Sequence, residues 1–85
     1  MNIREAIAEI DDEIIIYEGF DDAIVGIMER FGNERYLVYD YDKCLQILEG
    51  QGMDREGAIE YFDFNVLGAW VGEKTPGFLA RIETE

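Results

Sequence analysis

AIVGIMERFGNERYLVYDY, residues 23–41, decides the fold. β-Branched and aromatic residues dominate both halves: Ile24, Val25 and Ile27 before the break, Tyr36, Val38 and Tyr39 after it. Such side chains fit a pleated, half-buried surface. Gly32, Asn33 and Glu34 separate the halves with turn chemistry, so the stretch reads as an antiparallel hairpin. Its strands are expected over about 23–31 and 35–41. Gly26 inside the first strand points to a bulge or a close backbone approach.

On the N-terminal side, Ile3, Ile7 and Ile10 stand at i, i+4, i+7, the spacing of an amphipathic helix. Glu9, Asp11, Asp12 and Glu13 crowd its C-terminal end, where the helix dipole disfavours acids, so it should stop by about residue 11. Ile14, Ile15, Ile16 and Tyr17 suit a short strand. Glu18, Gly19, Asp21 and Asp22 read as a turn.

On the C-terminal side, Asp40 or Asp42 can cap a helix with Cys44, Leu45, Ile47 and Leu48 on its apolar face, ended by Gly50 and Gly52. Asp54 caps another, with Glu56 in its first turn and Ala58, Ile59, Phe62 and Val66 facing inward. That helix is read as running through Leu67 to Trp70 and stopping at Gly72. The alternative is a break at Asn65 and a short strand, VLGAWV. Lys74, Thr75, Pro76 and Gly77 form a turn, and 78–82 can add a last strand. The order indicates a single α+β domain over 1–85: a small antiparallel sheet covered on one face by two or three helices.

Composition narrows the function. With 48% hydrophobic and 13% aromatic residues, the chain can build a core. Twenty acids against seven bases give a net charge of −13. Phosphate contacts need Lys and Arg, so direct nucleic-acid binding and anionic membranes are disfavoured, and a basic partner is favoured. The bland reading of the same charge is solubility. One cysteine, Cys44, permits no internal disulfide, and the chain reads as cytoplasmic. Residues 1–13, MNIREAIAEIDDE, are charged throughout, so no signal peptide is expected. No apolar run approaches the ~20 residues that span a bilayer.

Catalytic chemistry has few footholds. Histidine and serine are absent, which removes the commonest general base and the serine-type nucleophile. Asp21-Asp22 suggests a metal or an acid–base pair, but no ordered third ligand follows it, and a turn explains it. Asp40-Tyr41-Asp42 resembles the start of a calcium loop, yet Leu45 stands where glycine is needed. No phosphate-binding glycine motif occurs. The reading is a non-enzyme with no metal and no cofactor. Cys44, at an apolar helical position, reads as a buried hydrophobe. Asn65 is expected either to bond backbone in the neighbouring hairpin, with the aromatics around it mainly in the core, or to line a pocket with Tyr61, Trp70 and Glu73.

GFDDAIVG (19–26), YDYDKCLQIL (39–48) and GMDREGAIEYFDFNVLGAWVGEKTP (52–76) resemble a family of small proteins common in bacteriophage and bacterial genomes. Its members show a G-x-D-D-A/C-x-x-G opening, a Y-D-x-x-K helix start and a closing block ending G-x-x-T-P. The likeness covers about two-thirds of the chain, and Gly57 departs from it, since the family more often carries Glu there. The resemblance implies a phage or prophage context and supplies no activity. Together with the charge it leads to an expectation: an acidic, anti-CRISPR-like protein that inhibits a basic nucleic-acid-handling host defence protein, presenting carboxylates where phosphates would sit. The candidate contact residues are Asp11, Asp12, Glu13, Asp21, Asp22, Glu60, Asp63, Trp70 and Glu73. The alternative is a structural or assembly module, a homodimer through the hairpin edge or the Trp70 patch.

Overall fold

The hairpin forms. In the computed structural model, which describes residues 1–84, β1 (Ile24–Met28) pairs antiparallel with β2 (Tyr36–Asp40). The register slips between Ile24 and Gly26, which is the bulge that Gly26 suggests. Both strands are shorter than 23–31 and 35–41. The chain leaves the ladder after Met28, Gly32 takes a left-handed φ of 78°, and Glu29 meets Arg35 across the loop at 2.6 Å.

A third strand, β3 (Gly77–Leu79), joins β2 in parallel, so the sheet is mixed, in the order β1-β2-β3. A parallel neighbour needs a crossover connection, and the two helices between β2 and β3 supply it. Gly77 permits the close approach: a Cβ there would stand 3.1 Å from the Tyr36 ring.

Three helices follow their caps. α1 (Ile3–Ile10) starts where Asn2 Oδ1 accepts the Glu5 N–H at 2.8 Å, and it stops before Asp11, Asp12 and Glu13, with Glu9 in its last turn. α2 (Tyr41–Gly50) starts where Asp40 Oδ1 accepts the Lys43 N–H at 3.1 Å. α3 (Arg55–Phe62) starts where Asp54 Oδ1 accepts the Gly57 N–H at 2.7 Å. An added Cβ at Gly57 would come within 2.9 Å of that oxygen, so glycine there lets the capping carboxylate close in.

Ile14–Ile16 is not a strand. The segment runs without a ladder partner, Ile14 enters the core, and the Tyr17 N–H donates to the Tyr39 hydroxyl at 2.8 Å. A side chain here does what a neighbouring strand would otherwise do, since a part-buried N–H must find an acceptor.

Leu37 and Tyr39 point to one face of β2 and are fully buried against Ile7, Cys44, Leu45, Leu48, Ala58 and Phe62. The helices therefore cover that face. Phe62 sits at the centre, edge-on to Phe20, Tyr41 and Phe78 at centroid distances of 5.7, 5.5 and 4.9 Å. Cys44 is buried, and desolvation pushes its thiol up to about 12. No helix among the described residues is long and apolar enough to cross a membrane.

Candidate interaction surface

α3 does not run on to Gly72. At Asp63 it widens into a π-helical turn, Asp63–Leu67, which closes at Gly68, where the N–H donates to the Asp63 carbonyl at 3.2 Å. The strand alternative, VLGAWV, does not form either. Single π-helical turns are rare and recur at functional sites. None of the five residues of this turn is buried.

The turn changes what the chain presents. Ala58 and Phe62 face the core. Glu56, Glu60 and Asp63 follow one another at i, i+4, i+7 on the outer side, about 6 Å apart along the axis per step of four, and all are exposed. Phe64 is 88% exposed. Tyr61 and Leu67 are also exposed, so of the aromatics beside Asn65 only Phe62 belongs to the core. This corrects the expectation that they are mainly core. Asn65 reaches neither the hairpin nor a pocket: its Nδ2 donates to the Tyr61 carbonyl at 3.0 Å, one turn back on its own helix. An exposed amide has no need of a distant partner when an open carbonyl lies one turn below.

Residues 68–76 then form a held loop. Gly72 takes φ 111°. The Thr75 hydroxyl accepts from the Val71 N–H at 2.9 Å and donates to the Gly72 carbonyl at 2.6 Å. Pro76 is buried. Lys74 Nζ reaches Asp11 Oδ2 at 2.8 Å and Glu34 Oε2 at 3.3 Å, joining the loop to the end of α1 and to the hairpin turn. These bonds leave Trp70 71% exposed beside Val71, which is also exposed. Trp70, Leu67, Glu73, Arg30, Tyr36 and Phe78 line one open groove of about 520 Å³.

Charge is partitioned across the molecule. Among the described residues, five of the seven bases hold ion pairs, and these engage eight acids. Asp21 takes Arg4 in a two-point contact at 2.7 and 3.0 Å, which holds its carboxyl below the usual range. Asp11 is held low by Lys74 first and then by the Glu13 N–H, and Lys74 is raised in return. Neither Asp11 nor Asp21 is an unclaimed anion. Asp12, Glu13 and Asp22 are exposed and carry no ion pair among the described residues, but they lie off α1 and before β1, away from Trp70 on the chain. Glu60, Asp63 and Glu73 likewise carry no ion pair among the described residues. Asp63 only accepts the Tyr41 hydroxyl, at 2.9 Å; burial and then this contact raise the Tyr41 phenol.

The nine candidate residues thus divide. Glu60 and Asp63 share α3 and its π-helical turn, while Trp70 and Glu73 share the loop that continues from it. Of the others, Asp11 is bonded to Lys74 of that same loop and Asp21 to Arg4 of α1, while Asp12, Glu13 and Asp22 carry no ion pair among the described residues. Phe64, Leu67, Val71 and Glu56 were not among the candidates. The Glu56–Glu60–Asp63 spacing carried the signal for this outer face. No group of three metal-ligating side chains occurs among the described residues. Neither a family model nor a curated protein nor a solved structure matches the chain.

Proposed function

We propose that this chain is a small acidic interaction protein whose α3–Trp70 face docks on a basic, nucleic-acid-handling protein and blocks it. One observation carries the reading: Phe64 and Trp70 stand 88% and 71% exposed on the π-helical turn and the loop that continues from it, and Glu56, Glu60, Asp63 and Glu73 on the same continuous stretch carry no ion pair among the described residues. Exposed aromatics within a polar rim are the composition of a protein–protein interface. These four carboxylates outnumber the one base of the groove, Arg30, so the complementary partner is rich in Arg and Lys. A surface that binds phosphates is rich in those residues, which is why the target class is a nucleic-acid-handling protein, and why the carboxylates would occupy its phosphate sites. The phage resemblance supports a host defence protein as target.

The test is capture from a nuclease-treated bacterial lysate with the wild type, Trp70→Ala, Glu60→Lys/Asp63→Lys and Asp12→Lys/Glu13→Lys, with and without competing DNA. A basic nucleic-acid-binding protein should be retained by the wild type and the Asp12/Glu13 variant, lost with the other two, and displaced by DNA. Retention that ignores Trp70 and Glu60/Asp63 sinks the reading.

A second reading, self-assembly, rests on a different observation. β1 is an edge strand, and Ile3, Ile10, Val25 and Leu37 help to line an apolar groove of about 190 Å³ between it and α1. Light scattering decides it: a dimer at micromolar concentration that Val25→Lys dissolves supports assembly, and a monomer rejects it.

A further inference from the structure

Trp70 is 71% exposed, and the loop that carries it has few apolar anchors. Val71 is exposed as well, and only Pro76 among residues 68–76 is buried. What holds the loop against the body of the protein, besides its own internal bonds and the buried Pro76, is Lys74. Its ammonium lies between Asp11 and Glu34, 2.8 and 3.3 Å away, and its side chain is only 20% exposed. Asp11 is as well covered, at 19%, and its other oxygen accepts the Glu13 N–H at 3.0 Å, so the anion is itself fixed. The Lys74–Asp11 bond spans 63 positions of sequence, and the end of α1 and the hairpin turn share no other side-chain bond with this loop among the described residues.

We propose that Lys74 is the positioning residue of the docking face: its paired contact with Asp11 and Glu34 fixes the 68–76 loop and so pre-sets Trp70 for the partner. This rests on the functional reading above and adds how that face is kept ready. Glu34 sits in the hairpin turn and Asp11 at the end of α1, so the clamp ties the presentation of Trp70 to both of them. Holding a binding loop in its bound placement raises affinity by the fraction of time the loop spends there. A loop released to that placement for only a tenth to a third of the time binds about three- to tenfold more weakly.

The chain has a single tryptophan, so the loop reports on itself. Time-resolved fluorescence anisotropy of Trp70 in the free protein is the first readout. Lys74→Ala should increase the fast, local component of the decay, Lys74→Arg should restore the slow decay, and Asp11→Asn should fall between. Thermal unfolding by circular dichroism accompanies each variant, so that loop release is told apart from a fold lost altogether; Glu34→Gln, which leaves the Asp11 contact intact, serves if Lys74→Ala does not fold. An unchanged anisotropy decay in folded Lys74→Ala overturns the proposal, as does a loosened loop that arginine fails to restore. None of this needs a partner. Affinity for a captured partner is measured separately and should fall about three- to tenfold in Lys74→Ala. If the loop loosens and Trp70→Ala binds as the wild type does, the functional reading fails while the clamp stands.

Discussion

Replacing Phe62 or Phe64 by alanine tests directly which side of this stretch faces solvent, because the two phenylalanines are two positions apart and have opposite surroundings. Phe62 is fully buried and touches three other rings edge-on. Removing a buried phenyl costs about 3–5 kcal/mol, and the lost edge-to-face contacts push toward the upper end. A chain of 85 residues has a total stability of roughly 4–13 kcal/mol, so Phe62→Ala should lose a large part of it or unfold. Phe62→Leu, expected to cost about 1–2 kcal/mol, keeps the comparison measurable in that case. Phe64 is 88% exposed, and its alanine variant should lie within about 0.5 kcal/mol of the wild type. Urea denaturation followed by far-ultraviolet circular dichroism reads both. Equal destabilisation at the two positions would refute the outward placement of Phe64, and with it that of the docking face.

Further outcomes follow from single contacts. Tyr39→Phe removes the acceptor of the Tyr17 N–H and should cost about 1–3 kcal/mol in the same denaturation assay, whereas Tyr17→Phe should be neutral or stabilising, because the buried Tyr17 hydroxyl has no partner among the described residues. Equal costs at the two tyrosines would contradict that bonding pattern. Cys44, with its thiol pushed up to about 12, should resist a thiol-directed maleimide at pH 8 while folded and react once unfolded in urea; rapid native labelling would place it at the surface. The Asp40 carboxyl is held low by the Lys43 N–H first and then by Arg81. A folded-state value below the unfolded one means stability that is present above about pH 4 and lost as pH falls through the folded value. The stability gap between wild type and Asp40→Asn should therefore be constant from pH 5 to 7 and close below pH 4; a gap that persists to pH 2 would assign it to something other than the charge.

How much was legible from residues alone depends on the reach of each interaction. The hairpin and the caps at Asp40 and Asp54 are local, written in β-branched runs, a Gly-Asn turn and Asp residues placed before apolar periods. Ile14–Ile16 misled because a β-branched run announces extended backbone without saying whether a strand is free to pair with it; the Tyr39 hydroxyl, 22 positions from Tyr17, settled that. β3 is three residues long, and its parallel pairing depends on where two helices return the chain. The acidic residues were individually visible, but their engagement was not. Asp11 is claimed by Lys74 and Asp21 by Arg4, across separations that no local pattern encodes. The π-helical turn was hidden for a related reason: a period of 3.6 describes 55–62 well, and nothing in DFNVL signals that the ladder widens after Phe62.

The central claim is that the carboxylates and aromatics of the α3–Trp70 face together bind a basic partner. The most direct measurement is the salt dependence of that partner's affinity, compared between wild type, Glu60→Lys/Asp63→Lys and Trp70→Ala. Charge reversal should weaken binding and flatten the fall of affinity with salt, because fewer counter-charges are engaged. Trp70→Ala should weaken binding at every salt concentration without changing the slope. Wild-type affinity and slope in both variants would contradict the account, and the acidity of the chain would then serve solubility alone.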